Sequence, residues 1–127
     1  MIYTSNFSIL KKLPPDCVPI AICGKSPEWY NGLEYKKLAP KYSFFMEWKK
    51  NYNNDYYIEH FNKEVLSLLN PKDVILELLI LARNYKGLNY SPNIVLLCYE
   101  KSSDFCHRHL VAQWLTENGY ECTEYKS

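Results

Sequence analysis

Cys98, Glu100, Cys106, His107 and Arg108 stand close together near the C-terminal end of the sequence, and their side-chain types point to four chemistries. The first is nucleophilic. A thiol at a helix N-terminus beside an arginine has a lowered pKa and becomes a usable thiolate, which suits Cys106, with His107 as its base. Together with Glu100 these two make the catalytic candidates. Cys98 and Arg108 would instead suit a strand-end cysteine answered by a first-turn arginine, as in phosphatase and rhodanese sites, although the intervening loop is long and lacks glycine. The second chemistry is a metal. Zinc accepts Cys98, Cys106, His107 and His109, with Cys23 as a further donor. Against it, no C-x-x-C is present, and adjacent residues 106 and 107 cannot readily aim at one ion from a helix, so no metal or cofactor is expected.

The third is a thiol–disulfide pair, because Cys98 and Cys106 bracket a single loop. The fourth, which the residues favour most, is non-covalent recognition of an anion. Arg108, Lys101 and Lys25 around helix N–H groups make a seat for phosphate or carboxylate. Tyr99, Tyr30 and Trp29 could stack on a base, beside Cys98. A phosphorylated nucleoside or another nucleic-acid-derived ligand, including a flipped-out base, fits that set. Alternatively, Glu100 and Arg108 form an ion pair that merely closes the loop.

These groups need a scaffold, and the local patterning supplies one. Ile94 to Leu97 is a continuous apolar run, too short for a helix, and reads as a strand buried on both faces. A polar loop follows, and Asp104 is placed to cap a helix in which His107, Leu110, Val111, Trp114 and Asn118 share one face. His107 then points inward, Cys106 and Arg108 flank it, and His109 faces solvent. Gly119 suits a left-handed helix end, and a last strand spans roughly Tyr120 to Tyr125.

The pattern Leu96-Leu97-Cys98-Tyr99-Glu100-Lys101, then Phe105-Cys106-His107-Arg108-His109-Leu110, resembles the family known as domain of unknown function 488 (DUF488). Ser26-Pro27-Glu28-Trp29-Tyr30-Asn31-Gly32 and Tyr35-Lys36-Lys37-Leu38-Ala39-Pro40 extend the resemblance, which spans about Thr4 to Glu124. It implies a small α/β domain with the Cys/His/Arg cluster at its functional edge, and no established reaction.

Upstream, Cys17 to Cys23 is the second apolar run and the natural neighbour of the 94–98 strand. Pro19 suggests that its strand proper starts at Ile20, and Cys23 and Cys98 should reach the same sheet edge. Met1–Ser5 suits a short strand and Phe7–Leu13 a turn or short helix. Ser26–Pro40 reads as a long loop, a candidate lid carrying Trp29 and Tyr30. Helices are expected over Ser43–Lys50, from an Asp55 cap through Leu69, and over Pro71–Tyr85 behind an Asn70 cap. The sum is a single three-layer α/β domain over residues 1–127, with a mostly parallel sheet of about four or five strands flanked by helices.

Composition narrows the partners. Fifteen basic and fourteen acidic residues give a formal net charge of +1, so no global field draws nucleic acid or a membrane surface, and anion binding must be local. Aromatics make up 16% of the chain, twelve of them tyrosine. That suits ring stacking, and equally a Tyr-rich surface for a homodimer or for a non-enzymatic adaptor or ligand-sequestering protein. Five cysteines, with no basic-plus-apolar leader, lead to the expectation of a cytoplasmic protein with reduced thiols; no run is long enough to span a bilayer.

Overall fold

The computed structural model describes residues 1–87, 91–100 and 105–125. Five parallel strands form one sheet: β1 Ile2–Asn6, β2 Cys17–Ala21, β3 Leu33–Glu34, β4 Asn93–Cys98 and β5 Cys122–Glu124, in the spatial order β3-β2-β4-β1-β5. Strand β4 lies in the middle, as its apolar run requires. It pairs with β1 from Ile2↔Ile94 to Asn6↔Cys98 and with β2 from Cys17↔Asn93 to Ala21↔Leu97. Ile94 to Leu97 are completely buried, because a strand covered on both faces has no solvent side.

Strand β2 begins at Cys17 rather than at Ile20, with Pro19 inside it. The hydrogen bonds explain the tolerance. The Ile22 N–H donates to Leu97 O (3.0 Å) on the β4 side, and Ala21 O accepts from the Tyr35 N–H (2.8 Å) on the β3 side. By alternation the donor that Pro19 lacks would face β3. That strand pairs only with Ile20 and Ala21, so no ladder bond is lost.

The sheet connections run in two directions. The β1–β2 and β2–β3 links run toward one edge, the β3–β4 and β4–β5 links toward the other. Right-handed crossovers therefore put them on opposite faces. Helices α1 (Tyr42–Asn51), α2 (Asn54–Glu64), α3 (Pro71–Lys86) and α4 (His107–Glu117) cover one face, over Ile2, Ile20, Ile94 and Leu96. The 3-10 turn Phe7–Lys12 and the β2–β3 link make a thin third layer over Ala21, Val95 and Leu97. At β4 the chain leaves toward the helices, while both neighbouring strands leave toward the thin layer. Such a switch opens a crevice at the carboxyl ends of an open sheet.

Helix boundaries follow their caps. Asn53, not Asp55, caps α2, its side chain accepting from the Tyr56 N–H (3.2 Å). That helix stops at Glu64 and passes into a 3-10 turn, Leu66–Leu68. The change of period rotates Leu68 out of the expected apolar face and leaves it exposed, while Phe61 and Val65 stay in the core. Helix α3 buries Val74, Ile75, Leu78 and Ala82, but Leu76 and Ile80 on its outer side face solvent, so it is buried on one side only. Gly87 ends it in the left-handed conformation (φ +64). Helix α4 ends one residue before Asn118, with Gly119 at φ +91 directly after.

The Asn70 side chain caps α3 by accepting from the Lys72 and Asp73 N–H groups (2.9 and 3.3 Å). Asn70→Ala should lower unfolding stability by about 1 kcal/mol, read from urea denaturation, whereas Asn70→Ser should retain most of it. Equal losses in the two variants would show that the cap contributes nothing.

Candidate functional site

At the carboxyl edge of β4 and β2 lies a cavity of about 710 Å³. Its floor is Cys98 and Glu100 from the end of β4, Cys23 and Gly24 from the end of β2, and Cys106 and His107 at the start of α4. Helices α1 and α2 supply its walls. Phe45 and Trp48 lie 6.0 Å apart by ring centroids, Trp48 and Phe105 5.7 Å, and Tyr57 meets Phe105 edge to face at 5.0 Å. Lys25 and Lys49 also line it. This is the size and character of a small-molecule site: a mainly apolar cleft with a few convergent polar groups.

The polar floor is tightly organised around His107. Its Nε2 lies 2.7 Å from the carbonyl oxygen of Ile22, which can only accept, so Nε2 carries the proton and donates. Nδ1 faces both sulfurs, 3.4 Å from Cys98 and 3.9 Å from Cys106. Phe61 packs against the imidazole from the helical layer (5.5 Å). Cys98 also lies 3.5 Å from Glu100 Oε2.

Proximity of the two cysteines splits their acidities. The neighbouring Cys98 thiol favours the Cys106 thiolate, and this outweighs burial; His107 and the Arg108 backbone N–H, at the helix start, act in the same direction. Cys106 is thereby held far below the ordinary thiol range. Cys98 is pushed up by the neighbouring Cys106, and its burial and the Cys106 and Glu100 charges add to this. Burial, reinforced by Cys106, also raises the Glu100 carboxyl. The positive end of α4 is thus taken up by the protein's own thiolate.

Arg108 does not take the part of an anion seat. It is completely buried, and its guanidinium is used within the chain. Nη2 and Nε donate to the two oxygens of Glu124 (2.9 and 3.2 Å), and Nη1 to the backbone carbonyl of Glu100 (2.6 Å). Glu124 Oε1 also accepts from Thr4 Oγ1 (2.7 Å). Arg108 therefore ties together the carboxyl ends of β4, β1 and β5. In place of the alternative Glu100–Arg108 ion pair there is a Glu124 ion pair plus a bond to the Glu100 main chain.

Other expectations also shift. Trp29 and Tyr30 do not reach the cavity; they pack edge-on against Phe7 in the thin layer (6.0 and 5.2 Å). Tyr30 is fixed there by its hydroxyl, which donates to Leu33 O (2.6 Å), and by Gly32, where a Cβ would come within 2.6 Å of that hydroxyl. The Ser26–Pro40 stretch is no lid. It contains β3 and a 3-10 turn, Lys36–Leu38, and sends Tyr35 and Leu38 into the core; only Pro40 borders the cavity. Tyr99 does border it, and its hydroxyl donates to the Lys25 carbonyl. Lys101 and Asp104 lie outside the described residues; the N-cap of α4 is Cys106, with no side-chain cap. His109 is half-buried rather than solvent-facing, with its Nε2 unpartnered among the described residues.

The aromatic walls were missed. The helical spacing of Phe44, Phe45 and Trp48 marks an apolar face, but nothing local shows that this face closes over a strand end far along the chain.

Residues 11–119 match the family model DUF488-N3a, described as the active DUF488-N3 subclade. No curated protein and no solved structure is detectably similar to the chain.

Two predictions test this geometry. Arg108→Met leaves Glu124 without its cation in a largely desolvated setting and should cost about 3 kcal/mol of unfolding stability. Arg108→Lys should recover little, since one ammonium cannot span Glu124 and the Glu100 carbonyl; recovery near wild type would show that charge alone matters. In metal-free protein, thiolate absorbance measured against a Cys106→Ser variant should persist down to about pH 5, because a lowered pKa keeps the charge at every pH above it. A midpoint near the ordinary thiol value of about 8.5 would exclude the asymmetric pair.

Proposed function

Since this chain belongs to the DUF488 family, in the subclade described as active, we propose that it binds a nucleoside or nucleotide by its ring in the aromatic cavity, against the Cys98/Cys106/His107 floor. One observation carries the reading: four rings from α1, α2 and the entry to α4 form a wall directly over a cluster of sulfur and imidazole. Planar heterocycles stack on such walls, with about 1–3 kcal/mol gained per base. Glu100 at the floor offers a carboxyl to a ring edge or ribose, and the electron-pair donors beside it are the groups that would act on the ligand.

The placement of charge favours ring recognition over phosphate recognition. Arg108 is committed to Glu124, and Cys106 occupies the helix N-terminus. Among the described residues, Lys25 and Lys49 are the cavity-lining cations left for a phosphate, and both are exposed. The adaptor reading has less support. The exposed Tyr42 and Tyr99 border the cavity itself, and so serve the ligand reading as well as an adaptor surface.

Titration calorimetry with nucleosides and their monophosphates tests the proposal. Trp48→Ala should weaken binding about tenfold or more. The double change Lys25→Ala, Lys49→Ala should weaken the monophosphate while leaving the nucleoside nearly unchanged. If no member of either series shows heat or raises the melting midpoint, the ligand reading fails.

A further inference from the structure

The floor of the cavity gathers side chains that can ligate a metal. Among the described residues, Cys98, Cys106 and His107 bring their ligand atoms within 4.8 Å of one another, and all three are buried. The Ile22 carbonyl holds His107 by Nε2 and so turns Nδ1 toward both sulfurs. The Glu100 carboxyl adds a fourth acceptor beside Cys98. A buried cluster of this composition suits a cation that accepts sulfur and nitrogen, which would take the place of the thiol protons.

Adjacent residues 106 and 107 meet at one point because only one of them is on the helix. Cys106 is the N-cap and has extended backbone (φ −154, ψ 142); His107 is the first helical residue. The change of backbone between them turns both side chains to the same side, toward Cys98 at the end of β4.

We propose that Cys98, Cys106 and His107 form a binding site for a thiophilic divalent cation, zinc foremost, with a fourth position open to the cavity beside Glu100. The spacing supports it: tetrahedral zinc, with Zn–S of about 2.3 Å and Zn–N of about 2.0 Å, places sulfur and nitrogen about 3.5 Å apart. Here the two separations are 3.4 and 3.9 Å. The outer contact has the matching form, since a metal-ligating histidine commonly donates its other ring N–H to a backbone carbonyl, as His107 does to Ile22. Softness selects the ion, because two sulfurs and an imidazole favour zinc over magnesium or calcium. Three protein ligands with one open position are the donor arrangement of catalytic rather than structural zinc. The site goes beyond the ring-binding reading and does not depend on it.

Cobalt(II) titration of the reduced, metal-free wild-type protein decides the matter. The expected result is one equivalent bound per chain, with sulfur-to-cobalt charge-transfer absorption and the intense visible bands of four-coordinate cobalt, and displacement by zinc. Cys98→Ser, Cys106→Ser and His107→Ala should each weaken binding by at least about tenfold, the loss that even outer-shell changes produce. Magnesium should not compete. The proposal is overturned if the wild-type protein shows no charge-transfer band, or if a folded Cys98→Ser, Cys106→Ser double variant, checked by circular dichroism, binds cobalt as tightly as wild type. Nucleoside binding to metal-free and metal-loaded protein keeps the two readings apart. Cobalt binding without any nucleoside effect leaves this site standing and removes the ligand; nucleoside binding with no charge-transfer band does the reverse.

Discussion

The architecture of the working edge depends on one buried ion pair. Arg108 enters a space with no solvent and finds there a carboxylate from β5 and a main-chain carbonyl from the end of β4. A guanidinium can serve both because its donors diverge in a fixed plane, and Glu124 can answer it because Thr4 orients one of its oxygens. Removing a charge from water is costly, and the cost is offset only when the partners are held in place beforehand. Sheet pairing does this, since β5 and β4 both bond to β1 and their ends are fixed relative to each other.

The consequences reach the chemical groups. Arg108 follows His107 directly, so holding the arginine also fixes the first turn of α4, and with it the direction of the imidazole. The same arginine grips the main chain of Glu100, two residues beyond Cys98, and so limits where the carboxyl and the first sulfur can go. Arg108 is therefore best described as a positioning residue.

Electrostatics divide the labour at the floor. A helix N-terminus normally invites an anion from outside, but here Cys106 sits on it, with its pKa lowered in part by the Arg108 backbone N–H. Cys98 keeps the proton of the pair and Glu100 keeps its own to a higher pH than usual, so electron-pair donors and proton carriers coexist in one small cavity. The same cluster is suited to a thiophilic cation, since the lowered pKa of Cys106 favours the thiolate that such a cation takes.

Much of this could be read from local pattern. Apolar runs at Cys17–Cys23 and Ile94–Leu97 could be nothing but interior strands. The stripe through His107 and Val111 had to face the core, and Asn70-Pro71 had to open a helix. These features depend on neighbours in the chain, through period, cap geometry and the fixed φ of proline. They were enough to bring Cys98, Glu100, Cys106 and His107 to one edge. Tertiary structure alone decided what each group meets there. Periodicity says which face of a helix is buried but not what lies across from it, because hydrophobic burial has no direction. Hence Arg108 found Glu124 on another strand, and Phe45, Trp48 and Tyr57 closed the cavity in place of Trp29 and Tyr30. The convergence of Cys106 with His107 rested on a single extended residue at the helix boundary, the place where sequence patterns are least informative.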